Sequence, residues 1–154
     1  MLVICIFFAG CDKTGTPDDL MGTMYTAFKK NDFQKWSKNL SGDAAKQFGT
    51  QAGYGSLRAM ILNLRTNGYA IDMPHPRFKN KEASTFSETV VRYYTEVSAY
   101  KYAESNLLFT AEILCDTKHE LEHIVHAGRE AWEDEWENVD TTRCTLDKLV
   151  SIKK

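Results

Sequence analysis

The stretch Leu107–Val125, LLFTAEILCDTKHELEHIV, decides how the chain folds, because it can be read in two periods. Taken two by two, Phe109, Ala111, Ile113, Cys115, Thr117, His119, Leu121, His123 and Val125 share one face. Thr110, Glu112, Asp116, Lys118, Glu120 and Glu122 take the other. Alternation over that length predicts a β-strand with one covered face. A turn at Ala127-Gly128-Arg129-Glu130 then starts a return strand at Ala131, and the alternation resumes from Cys144 to Ile152. In this register Cys115 and Cys144 fall almost opposite each other, so hairpin and disulfide support one another.

The same letters permit a helix. His119-Glu120-Leu121-Glu122-His123 spells H-E-x-x-H and resembles the zincin metallopeptidase signature. On a helix rising about 1.5 Å per residue, the two histidines sit roughly 6 Å apart on one side. His119 and His123 would then hold one zinc ion while Glu120 activates its bound water. A third ligand would come from His126, Glu133, Glu137 or Asp140. Lys118 beside the first ligand and Glu122 inside the motif both depart from that family's pattern. In a strand the histidines stand about 13 Å apart, too far to share a metal. The expected form is the hairpin without metal, with the zinc peptidase as its alternative.

Upstream, the pattern is helical. Thr16 is a natural N-cap for Pro17-Asp18-Asp19, and Leu20, Met24, Ala27 and Phe28 fall on one helix face. Asn31-Asp32 interrupts; Phe33, Trp36 and Leu40 suggest a second short helix, and Ala44–Phe48 a third. Gly49–Gly55, with three glycines, reads as a loop before a helix capped by Ser56 that carries Leu57, Met60, Ile61 and Leu64. Asn67-Gly68 ends it. Tyr69–Met73 and Phe86–Tyr102 then read as strands. Helices followed by antiparallel strands predict an α+β domain, its helices on one face of a curved sheet.

The opening, Met1–Ala9, is MLVICIFFA, too short to span a bilayer, which takes about 20 apolar residues. With Phe8-Ala9-Gly10-Cys11 behind it, it resembles the signal peptide and lipobox of bacterial lipoproteins. That resemblance implies removal of residues 1–10, acyl chains including palmitate on Cys11, and a tether over 11–16 leading to a single domain at 17–154. The missing positive n-region departs from the pattern and is explained by a start codon upstream. The resemblance also implies a cell-envelope location, facing the periplasm or exterior. Asp12 is a cue for the inner membrane that Lys13 weakens, so the choice of membrane stays open.

Of the four cysteines, Cys5 leaves with the signal peptide and Cys11 takes the lipid. Cys115 and Cys144 remain, either as a disulfide suited to an oxidising compartment or as two separate buried thiols. A formal charge of −2 gives no basic footprint for nucleic acid. No nucleophile elbow or phosphate loop is present.

Phe28-Lys29-Lys30-Asn31-Asp32-Phe33, followed by short helices and a run of strands, resembles the nuclear transport factor two-like (SnoaL-like) superfamily. This implies a cone-like fold ending in a long hairpin, and a capacity to pair as a homodimer through the sheet. The expected function is a noncatalytic, membrane-anchored binding or accessory domain for an envelope protein or small ligand. A cone-fold enzyme is the other alternative, with Tyr93, His119, His123, Trp132 and Trp136 lining an acid–base or ligand pocket. The acidic run Glu130, Glu133, Asp134, Glu135 and Glu137 reads first as a solvated face.

Overall fold

A computed structural model describes residues 14–73, 78–83, 89–124 and 135–152. Four helices come first: α1 (Pro17–Lys30), α2 (Phe33–Ser37), α3 (Gly42–Phe48) and α4 (Gln51–Thr66). Five strands follow: β1 (Ala70–Ile71), β2 (Phe78–Ala83), β3 (Val90–Lys101), β4 (Glu104–Ile124) and β5 (Glu135–Ser151). The fold class is α+β, and the antiparallel sheet runs β1-β3-β4-β5 and curls into a half-barrel. β2 also pairs with β3.

α1 begins where the sequence places it. Thr16 Oγ1 accepts from the Asp19 amide at 3.1 Å, and acids in the first turn and lysines in the last suit the helix dipole. Asn31, in the left-handed conformation at φ 58°, ends the helix, and its amide returns to the Ala27 and Phe28 carbonyls. Asp32 then caps α2 by accepting from the Lys35 amide at 2.9 Å. Leu20, Met21, Met24, Ala27 and Phe28 form the buried stripe of α1. They meet Trp36 of α2, Tyr54, Leu57 and Ile61 of α4, and one face of the sheet through Val97, Phe109, Ala111, Ile113, Leu146 and Leu149.

Two expectations are corrected at the helices. Gly49–Gly55 is not a loop, since α4 starts at Gln51 with Thr50, not Ser56, as its cap. The glycine at 53 serves packing: a Cβ there would lie 1.9 Å from the Gln47 carbonyl oxygen, so only glycine lets α4 start this close to α3. Leu40 does not extend α2 but forms a parallel bridge to Leu146. In the sheet, β2 is a strand the sequence reading did not include. Its FKNKEA is polar, as suits a short strand at a sheet edge, where lysines discourage further pairing. Tyr69–Met73 contains only the two-residue β1, and β3 begins at Val90.

β4 is one continuous strand from Glu104 to Ile124, so the H-E-x-x-H segment is extended, not helical. It pairs antiparallel with β5 from Phe109↔Ser151 to Ile124↔Glu135. Cys115 stands directly opposite Cys144 and is disulfide-bonded to it. The Cys144 amide points away from β4, to the Thr14 carbonyl at 2.7 Å. The cysteines therefore occupy a non-hydrogen-bonded pair, the closer of the two antiparallel pair types. The disulfide lies in the core, with Cys144 fully buried. The outer edge of β5 is covered there, since the Ser41 amide donates to Leu146 and the Leu146 amide to Asn39, each at 2.9 Å. The expected turn at 127–130 and the start of the return strand lie outside the described residues, as do residues 1–13, His126, Trp132, Glu133 and Asp134. No described helix is long and apolar enough to cross a membrane.

Candidate functional site

Side chains alternate across a strand, so the β4 residues between those in the core emerge on the far face of the sheet. Leu114, Asp116, Lys118 and Glu120 of β4 stand there with Thr141, Arg143, Thr145 and Asp147 of β5. Val90 of β3 adds an apolar patch, and Lys38, Leu40 and Ser41 overhang from the segment clamped to the β5 edge. Together they line an open cleft of about 730 Å³. That is within the roughly 300–1,000 Å³ common for small-molecule sites.

The rim beside β5 is tied in place. Arg143 Nη2 donates to the Lys38 carbonyl at 3.0 Å. The Thr145 hydroxyl lies 2.8 Å from the Ser41 hydroxyl, which donates to Asp147 Oδ1 at 3.1 Å. Gly42 holds φ +48° beneath that carboxylate, and a Cβ there would lie 2.2 Å from Asp147 Oδ1. The opposite wall is looser: Asp116, Lys118 and Glu120 are exposed. Farther along the same face, Glu112 lies between Arg92 at 3.9 Å and Lys148 at 3.6 Å. Arg92 is held protonated even above its ordinary range, first by its hydrogen bond with Tyr94 and then by Glu112 and Asp147, against the opposing effect of burial.

Of the residues expected to share one pocket, Tyr93 and His119 are the two whose side chains are described, and they stand at different levels of the sheet. Tyr93 is opposite Ile113 and packs against the core, whereas His119 is opposite Asp140. Six residues of β4 separate those levels, roughly 20 Å at strand rise. His119 Nδ1 donates to Asp140 Oδ1 at 2.5 Å, and both side chains are more than half exposed. His123 is opposite Trp136 in the register, but these two side chains and Trp132 lie outside the description. Strand geometry separates His119 from His123 by about 13 Å, which removes the helical zinc arrangement. Among the described residues no three His, Cys, Asp or Glu side chains come together to hold a metal. Glu120 lines the charged cleft on the opposite face from His119.

The cleft residues other than Glu120 were not singled out from the sequence. Their signal is the polar half of the β4 alternation, which by itself reads as a solvated face. What makes it a cleft is the overhang of Lys38–Ser41, set by the nonlocal Leu40–Leu146 bridge. Family models, curated proteins and solved structures give no match to this chain.

Proposed function

We propose that the chain is an exported lipoprotein, held at a membrane by acylated Cys11, whose domain is a noncatalytic binding module. The observation that carries this reading is the Cys115–Cys144 disulfide in the core. Such bonds persist in oxidising compartments and are rare where thiols are kept reduced. The lipobox-like Phe8-Ala9-Gly10-Cys11 supplies the route out of the cytoplasm. On this reading residues 125–134 close β4 and β5 into a long hairpin, and the domain is a cone of the nuclear transport factor two-like kind. Helix-first order and the curled antiparallel sheet support that assignment. A binding role is favoured over catalysis because the cleft offers charged and apolar recognition groups, while the His119–Asp140 pair lies on the other face.

The test is palmitate labelling of the full chain in a bacterial host, with thiol counting on the purified protein. The expected result is label that disappears in Cys11→Ser, with no free thiol from Cys115 or Cys144. An unlabelled chain with both thiols free would refute the reading.

A further inference from the structure

The cleft carries both signs of charge over an apolar floor, and the chain's own connectivity places it near the proposed anchor. We infer that it binds a zwitterion carrying a phosphate and an ammonium group, supplied by a phospholipid headgroup of the membrane that holds the chain. The inference rests on the lipoprotein reading for the source of the ligand, but not for the chemistry of the site.

The chemistry follows from the lining. Lys38, Lys118 and Arg143 offer cationic donors, and the guanidinium of Arg143 suits the paired oxygens of a phosphate. Asp116, Glu120 and Asp147 offer acceptors for an ammonium. Asp116 and Arg143 are cross-strand partners, so opposite charges alternate over the short span that a small zwitterion bridges. Leu40, Val90 and Leu114 provide apolar surface for the carbon skeleton between its charged ends. A purely anionic ligand would meet three carboxylates, and a purely cationic one three cations, so the balance favours a molecule that carries both.

The source follows from chain length. The Thr14 carbonyl is fixed to the Cys144 amide at 2.7 Å, next to Arg143 in β5. Only Asp12 and Lys13 separate Thr14 from Cys11. Three Cα–Cα steps reach at most about 11 Å, so acyl chains on Cys11 hold this edge of β5 close to the headgroup layer. A site there meets headgroups at high effective concentration, and modest intrinsic affinity suffices.

The experiment uses the full chain carrying Cys11→Ser, isotope-labelled and followed by NMR. It is titrated with glycerophosphoethanolamine and, separately, with glycerophosphoglycerol, which lacks the ammonium. Vesicles of mixed phosphatidylethanolamine and phosphatidylglycerol, and of phosphatidylglycerol alone, provide the membrane arm. Expected are shifts confined to Lys38–Ser41, Val90, Leu114–Glu120 and Thr141–Asp147, given by the ethanolamine compound and the mixed vesicles. Arg143→Gln and Asp116→Asn should each weaken binding about tenfold, and exposure of both side chains in the cleft keeps the core intact. No shift, equal shifts with glycerophosphoglycerol, or indifference to Asp116→Asn overturns the site. Binding of soluble glycerophosphoethanolamine without binding to mixed vesicles keeps the zwitterion site and overturns the membrane as its source. Headgroup binding here, together with no palmitate on the chain that keeps Cys11, overturns the anchor and leaves the site standing.

Discussion

Reducing the Cys115–Cys144 bond removes a covalent link across a sequence separation of 29 residues. In the chain-entropy description, a loop of that length raises the free energy of the unfolded chain by about 3.6 kcal/mol at 25 °C. The folded state loses little on reduction. The two cysteines already oppose each other in a β4–β5 pairing that continues in both directions. Their sulfurs also stay enclosed, with Cys115 at 4% and Cys144 at 0% exposure. Urea unfolding followed by tryptophan fluorescence measures the difference, and the fully buried Trp36 contributes to the signal. The reduced protein should be less stable by about 3–4 kcal/mol, with a slightly larger m value because its unfolded chain is more expanded. A loss below about 1 kcal/mol, or a smaller m value, would show that the reduced unfolded state keeps β4 and β5 together and would refute the entropic account.

Further outcomes are expected from three kinds of perturbation: titration of Tyr54, substitution of glycines and addition of zinc. Burial pushes the Tyr54 phenol above its ordinary value, and Arg58 only partly offsets this. The unfolded chain therefore loses that proton first, and stability should fall as pH rises through about 10; Tyr54→Phe should remove this part of the decline in alkaline urea titrations. The same variant should cost nothing at neutral pH, because Tyr54 Oη is buried without a partner among the described residues. Gly53→Ala should destabilise by about 3 kcal/mol in chemical denaturation by forcing α3 and α4 apart, whereas Gly22→Ala, with nothing within 4 Å of the new methyl group, should stabilise α1 by about 0.5–1 kcal/mol. Excess zinc should leave the thermal midpoint unchanged, since His119 and His123 are about 13 Å apart in a strand; a rise of several degrees that His119→Ala and His123→Ala each abolish would mean that they share an ion.

What the sequence discloses here depends on how local the cause is. Thr16, the apolar stripe of α1 and the alternation of β4 act within one element, and each appears in the structure as read, the last over its described side chains from Phe109 to Glu120. The Cys115–Cys144 pairing was also legible, because a continuous alternation fixes which residues share a face. Gly53 was misread because glycine in a loop and glycine at a helix contact are the same letter, and only the approach of Gln47 separates them. β2 was missed because a polar edge strand lacks the apolar alternation that marks a covered one. The cleft was the least legible feature. Lys38 and Arg143 are far apart in sequence, and the bond joining them depends on a bridge at Leu40 that no local pattern specifies.

The hydrogen bond from Cys144 to Thr14 also sets how the domain responds to mechanical force. Any pull on the residues before Thr14 meets β5 ahead of α1, beside the Cys115–Cys144 cross-link between β4 and β5. While that contact holds, part of the load reaches β5 at Cys144, which the disulfide ties to β4 at the centre of the sheet, and the rest follows the backbone into α1. A domain tugged from its N-terminus should yield first at the short Thr14 contact, which can break and re-form, while the sheet behind it stays intact.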